Sequence, residues 1–482
     1  MSTSAISTDA SLAADPRPLP ISTKLLYGVG EMPITVLMVI SGLFMLFFYN
    51  SVMGLPSGLV GLGLASSLVL DAVLDPFIGH ISDRTCHHFG RRHIFMLPGA
   101  LVIGPSFFLL FSPPRSLGHF GLFVWLIACS VALRAASAVY RIPYLSLGAE
   151  LSRDYDDRTS TMGLRTLFGL LGTLGASALS FVVFFPAAAD KLQYAGYPRM
   201  GLAFGAVMTG AGLVGTLGTL RYRTSGGGKF SAGPHFFTGF RIAMRNRDFR
   251  SIWISTTIFF LAVVLNFSMA IHYFTWYAQI SRGDVLGLIQ TCFYAGALGG
   301  VVLWMSLARR TEKRTLYIMA AVSSAILLMM ATVLIGIGRP LGIGHPFPLI
   351  VGHVIGGIFA SAVWVVPASM IADVTDTDDL ATGLRREGIY FGIMNFGEKL
   401  AAGGALLFAG GLLGVFRRLS PGEAFGTPGH PPAAIPYVGL LYGAVPAALL
   451  VLSVILILPY RLNRRTVHGI QQQIAARRQA SE

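Results

Sequence analysis

Long apolar stretches, separated by short polar or charged segments, make up most of this chain. Six fall at about 25–50, 57–82, 93–112, 119–149, 160–187 and 200–221, and six more at about 251–279, 284–307, 315–337, 346–372, 387–416 and 435–460. Each stretch can cross a bilayer, because a transmembrane helix needs about 20 mostly apolar residues. The pattern therefore predicts an all-α membrane protein with twelve transmembrane helices.

The chain divides into two halves of six predicted helices. We expect pseudo-symmetric bundles at 25–222 and 251–460, a cytoplasmic tail at 1–24 and a basic cytoplasmic tail at 461–482. The polar, glycine-rich and basic segment 223–250 is predicted to link the bundles in the cytoplasm and to include an amphipathic helix at the membrane interface. A plain solvated basic loop is the alternative.

The second half repeats features of the first. Predicted span 4 carries Pro143 and then Glu150, and predicted span 10 carries Pro367 and then Asp373, each followed by a charged loop. Paired six-helix halves are typical of transporters whose solute site lies between two rocking bundles. A pore or a receptor does not require this duplication.

The composition excludes a soluble enzyme. Hydrophobic residues make up 54% of the chain and charged residues only 12%, whereas a soluble domain carries about 25% charged residues. The first 24 residues are polar and contain no signal-peptide pattern, so we expect the first span to be retained. Three cysteines, at 86, 129 and 292, are too scattered to predict a disulfide framework or a metal cluster.

The charge distribution predicts the orientation in the membrane. The formal net charge is +14, but most of the 36 Lys and Arg residues lie in the tails and in the loops after even-numbered spans. Basic loops stay on the cytoplasmic side. We therefore expect a multi-pass protein of the cell (inner) membrane with both termini cytoplasmic, a lipid bilayer around it and no nucleic-acid partner.

Two carboxylates inside predicted span 2 are candidates for ion coupling. Asp71 and Asp75 are four residues apart and so lie on one face of the helix. Carboxylates are costly in hydrocarbon, so this pair should bind a cation, share a proton or pair with a basic residue. We expect proton or cation coupling there, and no other cofactor; a purely structural pair bridged to Arg141 and Arg165 is the alternative.

Four basic residues also fall inside spans: Arg134, Arg141, Arg165 and Lys399. Fixed cations at such depth neutralise carboxylates or meet an anionic or polyhydroxylated ligand. We expect a ligand or coupling role for Lys399 and a helix-packing salt bridge for Arg134.

The loop after predicted span 2 carries a possible cytoplasmic gate. It contains Gly79, Asp83 and Arg84, followed by Arg91 and Arg92. Charge pairs here could close the cytoplasmic side, and Gly79 would let two helices approach closely. The pattern resembles the loop signature of the major facilitator superfamily. We assign Asp373, at the corresponding place in the second half, to the same gate.

Polar and aromatic groups inside the second half could bind a solute. They are Asn266, His272, Trp276, Trp364, Tyr390 and Asn395. Stacking on an aromatic ring together with amide hydrogen bonds is how a sugar ring is held.

Short motifs lie along the chain from about residue 24 to 475. They are Tyr27-Gly28-Val29-Gly30-Glu31, Phe47-Phe48-Tyr49 ahead of Gly54-Leu55, Asp71-Ala72-Val73-Leu74-Asp75-Pro76, Ile142-Pro143-Tyr144, and Ile371-Ala372-Asp373 followed by Arg385-Arg386-Glu387-Gly388. Together they resemble the glycoside-pentoside-hexuronide:cation symporters. The resemblance implies that Asp71 and Asp75 form the cation site, that Arg165 and Lys399 lie near the sugar and cation sites, and that Trp364 lines the sugar cavity.

Two departures from that family affect the expected specificity. Thr35 and Arg141 stand where the family has acidic residues, although Glu31 stands where many members have Asp. A guanidinium beside Asp71 and Asp75 would compete with sodium while leaving a carboxylate free to carry a proton. Either Arg141 binds an acidic solute such as a hexuronide, or it pairs with the two carboxylates.

The sequence therefore predicts a transporter that moves a sugar, glycoside or hexuronide together with a proton or a sodium ion, and that acts as a monomer. The expected solute-binding residues are Glu31, Thr35, Arg141, Tyr144, Arg165, Trp364, Asn395 and Lys399. The alternative is a carrier of lysophospholipid or another amphipathic anion, which an apolar lateral opening would favour. A membrane-embedded enzyme would need a nucleophile or base on a long aqueous loop, and no such constellation is present; a non-transporting sensor is a further rival.

Overall fold

Twelve helices in the structure are long and apolar enough to cross a membrane. The structure is a computed structural model that describes residues 19–85, 87–151, 155–222, 236–280, 282–308, 310–382, 386–419 and 435–481. Spans 1 to 12 are Ile21–Val52, Ser57–Ser82, His93–Leu110, His119–Gly148, Ser160–Phe184, Gly196–Gly218, Arg247–Tyr277, Gly283–Ala308, Lys313–Leu334, Pro346–Thr382, Gly388–Val415 and Ile435–Ile457. The predicted all-α fold with twelve spans is confirmed.

An even number of spans returns the chain to the side on which it began. Ile21, where span 1 begins, and Ile457, where span 12 ends, therefore lie at one end of the described structure, which we call the terminal end; the opposite end is the far end. The two bundles contact each other in the middle of the molecule and at the far end. At the far end the larger apolar core crosses from one bundle to the other, where it joins Phe47 and Phe48 to Tyr273, Phe274 and Leu286. The far end is thus closed.

Two spans are interrupted near the middle of the membrane. Span 1 consists of helices Ile21–Val29 and Met32–Phe47, and span 10 consists of Pro346–Ala360 and Ala362–Thr382. In span 1, Pro33 has no N–H to donate to the preceding turn, which weakens the helix at this point. The break lies against span 4, because a Cβ added to Gly30 would lie 2.7 Å from the Tyr144 ring. Interrupted helices expose backbone groups at transporter binding sites.

Four π-helical segments lie at the far ends of spans 1, 5, 7 and 12. They are Phe48–Val52, Ser180–Phe184, Tyr273–Tyr277 and Leu440–Ala444. A π-helical turn adds a residue to the helix repeat and frequently marks a functional site. All four segments therefore interrupt the regular α-helix at the same end of the molecule.

The segment between the bundles contains a helix, Phe236–Arg245, within the predicted linker. Span 7 begins at Arg247, earlier than the expected residue 251, because the Asn246 side chain caps it by accepting a hydrogen bond from the Phe249 N–H at 3.1 Å. Residues 223–235 of the linker lie outside the described residues. A further helix, Arg464–Ser481, follows span 12.

Spans 2 and 11 approach so closely that two glycines are required. A Cβ added to Gly61 would lie 2.6 Å from the Leu406 carbonyl oxygen, and one added to Gly410 would lie 2.3 Å from the Ser57 carbonyl oxygen. Small residues permit this kind of helix contact in a membrane. The two bundles therefore make backbone contact along this pair.

Gly410→Ala should lower the thermal stability of the purified protein, because the new methyl group forces spans 2 and 11 apart. Overpacking of this kind costs about 1–3 kcal/mol. Gly411→Ala is the matched control, since a Cβ there meets nothing within 4 Å. Melting temperatures of both variants in nanodiscs make the comparison, and equal values would contradict the observed contact.

Candidate functional site

The carboxylates of span 2 meet cations from two other spans. Lys399 Nζ of span 11 lies 2.8 Å from Asp71 Oδ2 and also contacts Asp75 Oδ2. Arg141 Nη2 of span 4 lies 2.5 Å from the same Asp75 oxygen. Lys399 belongs to the second bundle and the other three residues to the first. A single ammonium group thus joins the bundles through two carboxylates.

Asp75 retains one free acceptor. Its Oδ1 atom is buried and accepts no hydrogen bond from the described residues. A buried acceptor without a donor is unfavourable. The second carboxylate, Asp71, is 8% exposed at its side chain. Both carboxylates are therefore largely shielded from water.

Two further charged side chains complete this group. Arg134 is close enough to interact electrostatically with Asp71 and Asp75, whereas its expected helix-packing salt bridge stays a prediction. Glu398 interacts electrostatically with Arg141. Sequence reasoning missed Glu398, although a carboxylate directly before Lys399 in an apolar span was a signal that could have found it. Three carboxyl groups thus face three cationic side chains, an arrangement that we call the charge cluster.

A second charged pair lies in the break of span 1. Glu31 precedes the helix Met32–Phe47, and its Oε2 atom lies 3.5 Å from Arg165 Nε of span 5. Thr35 stands one turn further, against Gly172 of span 5, where an added Cβ would lie 2.6 Å from Thr35 Oγ1. Glu31, Thr35 and Arg165 are therefore brought together, and Glu31 also interacts electrostatically with Arg141 of the charge cluster.

Tyr144 packs between spans instead of facing an open space. It is fully buried, its ring stacks on Tyr27 with centroids 4.6 Å apart, and its hydroxyl donates to the Tyr27 carbonyl oxygen at 2.9 Å. The Ile142-Pro143-Tyr144 motif of span 4 therefore packs against span 1 in this conformation. The expected solute contact of Tyr144 has no support in this arrangement, because the ring and the hydroxyl are both engaged.

A large cavity lies among spans 1, 5, 7, 8, 9, 10 and 12. Its volume is about 780 Å³, and its lining is mostly apolar. Trp364, in the first turn after the break of span 10, lines it. The few polar side chains around it include Asn266, Gln290 and His353, whereas Asn395 is exposed elsewhere on span 11. The cavity also reaches Thr166, the neighbour of Arg165.

The predicted gate residues pair within their own bundles. Arg91 and Arg92 lie 2.8 Å and 2.7 Å from Glu150 Oε1, and Lys313 Nζ lies 2.6 Å from Asp373 Oδ2. Each pair joins the start of an odd-numbered span to the end of the next span, so the two halves carry equivalent bridges. Their expected role in closing the terminal end stays a prediction, since this conformation is closed at the far end.

The remaining predicted gate residues are Gly79, Asp83 and Arg84. A Cβ added to Gly79 would meet Ile142 at 3.6 Å, an ordinary contact, so Gly79 is not needed for close helix approach. Gly61 and Gly410, by contrast, do allow it between spans 2 and 11. Arg84 is exposed at the end of the helix. The side chain of Asp83 lies outside the described part of the chain.

Comparisons with known proteins define the class. The family model described as MFS/sugar transport protein matches residues 26–464, so the chain belongs to this family. The inner membrane symporter YicJ of Escherichia coli is 25% identical, with 95% of each chain covered. The sphingosine-1-phosphate transporter MFSD2B of Mus musculus is 24% identical, with 96% of this chain and 94% of that protein covered.

A solved structure shares the fold. A bacterial homolog to the human lysosomal transporter Spinster, in an inward-facing and unoccupied conformation, matches with a TM-score of 0.64, 14% identity and coverage of 94% of this chain and 96% of that one. The protein is therefore a major-facilitator transporter of the glycoside-pentoside-hexuronide:cation symporter family, and not an enzyme. It is a multi-pass inner membrane protein that moves a small-molecule solute.

Proposed function

We propose that this protein is a symporter in which a proton carried at Asp71 and Asp75 drives solute movement. The observation that carries the proposal is the position of Lys399, which reaches from the second bundle to both carboxylates of the first. Two cations already occupy this site, so a sodium ion would have to displace one of them. A proton needs only a free oxygen, such as Asp75 Oδ1.

The proposed coupling follows from charge balance. With three carboxylates and three cations the cluster is close to neutral, which limits the cost of burying it. Adding a proton leaves an excess positive charge and weakens the hold of the carboxylates on Lys399. Because Lys399 joins the two bundles, protonation changes the free-energy difference between the two orientations of the transporter. By reciprocity, a solute that favours the same orientation tightens proton binding.

The proposed solute is an amphipathic anion, with an apolar body in the cavity and an acidic head near Arg165. The mostly apolar lining supports this, because a free sugar would leave several hydroxyl groups without partners there. The similarity to a sphingosine-1-phosphate transporter also supports an amphipathic anion as the solute. The excess positive charge after protonation also favours an acidic head. The other candidate solute is a sugar, glycoside or hexuronide, as the family's name indicates.

We further propose that the terminal end faces the cytoplasm and that the monomer is the working unit. The basic residues gathered at this end support the orientation, since they include Arg91, Arg92, Lys313 and Arg464. The far end, which is closed, would then face the outside. This conformation would accordingly present its solute site to the cytoplasm.

Asp71→Asn and Asp75→Asn should each abolish accumulation driven by a proton gradient, because an amide cannot titrate. Exchange of labelled for unlabelled solute across the same vesicles should persist, since exchange requires no net proton movement. Reconstituted uptake with a panel of lysolipids, hexuronides and glycosides, under separate proton and sodium gradients, makes the measurement. Normal accumulation by both variants would make the carboxylate pair structural.

Gly352→Phe tests the cavity as the solute site. Gly352 lines the cavity, and a Cβ there meets nothing within 4 Å, so the phenyl ring should fill the space without strain. Uptake of long-chain lysolipids should fall at least tenfold while the melting temperature stays unchanged. Gly299→Phe is the matched control, because Gly299 is equally open but does not line the cavity. If both variants transport equally well, the solute binds elsewhere.

A further inference from the structure

A lysine at the far end is buried without a partner. Lys191 lies in the short helix Ala188–Leu192 between spans 5 and 6, it is 0% exposed, and its Nζ atom has no hydrogen-bond partner among the described residues. An ammonium group is almost never buried unless it is paired. Burial lowers the pKa of Lys191 to about 7, and it is the sole cause of the shift. The ordinary value is about 10.4.

The groups that face this helix offer no countercharge. The hydroxyls of Tyr49, Tyr194 and Tyr197 donate to carbonyl oxygens, the last to that of Lys191 itself. The Asp190 carboxylate accepts from the Ala187 N–H at 2.8 Å. Two further cations of the described far end are already engaged: Arg115 stands over the Tyr194 ring with 4.3 Å from its Cζ to the centroid, and Arg282 pairs with Asp284. A protonated Lys191 is therefore disfavoured as long as it stays buried.

The same short stretch of chain closes the far end. The Gly283 N–H of span 8 donates to the Pro186 carbonyl oxygen at 2.8 Å, and Ala187 pairs with Arg282 in an antiparallel bridge. We call these four residues the far-end gate. A Cβ added to Gly283 would lie 1.9 Å from the Phe185 carbonyl oxygen, so the two bundles are in backbone contact here. Lys191 follows the gate by four residues.

We propose that Lys191 is a second proton-binding site, separate from the charge cluster, and that its protonation opens the far-end gate. When the bundles part, Pro186 and Ala187 lose their partners across the interface. The helix Ala188–Leu192, which directly follows them, then moves away from Phe48–Val52 of span 1 and the ammonium gains water. The closed state therefore prefers the neutral amine and the open state the ammonium.

The expected pH window follows from the two protonation states. Above about pH 10 both states hold the neutral amine, and below about pH 7 both hold the ammonium. Between these limits the open state binds one more proton than the closed state. The open-to-closed ratio should then rise about tenfold for each unit of falling pH, and level off below about pH 7.

The experiment measures the gate directly and needs no solute. Spin labels at Ser116→Cys and Arg339→Cys, two exposed far-end positions on different bundles, report the opening distance after Cys86, Cys129 and Cys292 have been replaced. Distance distributions in nanodiscs from pH 9.5 to 6 should show a growing long-distance population that levels off near pH 7. Arg199→Met, which removes an exposed cation nearby, should behave like the parent.

Two substitutions of Lys191 test the proposal, one that removes the titratable group and one that keeps a permanent charge. Lys191→Met should lose the growth of the open population between pH 9.5 and 7, because the buried group no longer titrates; any pH dependence that remains then belongs to the charge cluster. Lys191→Arg should favour the open gate at every pH, since a guanidinium stays charged. Both variants keep Asp71 and Asp75, so any difference from the parent belongs to Lys191. A parent without pH dependence, or a Lys191→Met variant with the parent's pH dependence, would overturn the inference whether or not the carboxylates couple transport.

Discussion

The arrangement depends on one constraint, which is that charges buried inside a bilayer must be neutralised locally. Asp71 and Asp75 lie in the middle of span 2, where an isolated carboxylate costs several kcal/mol. Lys399 and Arg141 supply the opposite charge. Because Lys399 comes from the other bundle, this electrostatic requirement also becomes a contact between the two halves. Removing or adding a charge here therefore acts on the interface as well as on the site.

The backbone contact between spans 2 and 11 is consistent with a charge cluster that joins the two bundles. Spans 2 and 11 touch at Gly61 and Gly410, toward the far end from the charge cluster, so their relative position is set sterically on one side and electrostatically on the other. The helix break of span 1 places Glu31 beside Arg165 of span 5, and the break of span 10 places Trp364 at the cavity. The charge cluster and the cavity thus lie on different elements of the two bundles.

Features that depend on local sequence could be predicted. The twelve spans follow from hydropathy, and the shared face of Asp71 and Asp75 follows from helix periodicity, because both are properties of neighbouring residues. The pairing of Lys399 with these carboxylates joins residues 328 and 324 positions apart. The charges in the sequence indicated a need for partners but could not identify which cation would meet which carboxylate.

Features that depend on long-range packing could not be predicted. A glycine allows close approach only where another backbone arrives, so sequence alone could not distinguish Gly79, which has ordinary surroundings, from Gly410. Likewise, Tyr144 belongs to a recognisable motif, but its role depends on Tyr27 lying against it. Lys191 gave no signal in the sequence, since its position in a loop favours exposure and only the fold buries it.

The central claim is that Lys399 and a bound cation compete for the same two carboxylates. The most direct measurement is the melting temperature of the parent and of Lys399→Met in nanodiscs, with sodium chloride compared against choline chloride at equal ionic strength. A ligand that binds the folded state raises its stability. The account predicts that sodium stabilises Lys399→Met, in which Asp71 has lost its lysine and Asp75 keeps only Arg141 as a direct partner, and leaves the parent unchanged. Equal stabilisation of both proteins by sodium, or of neither, would contradict it.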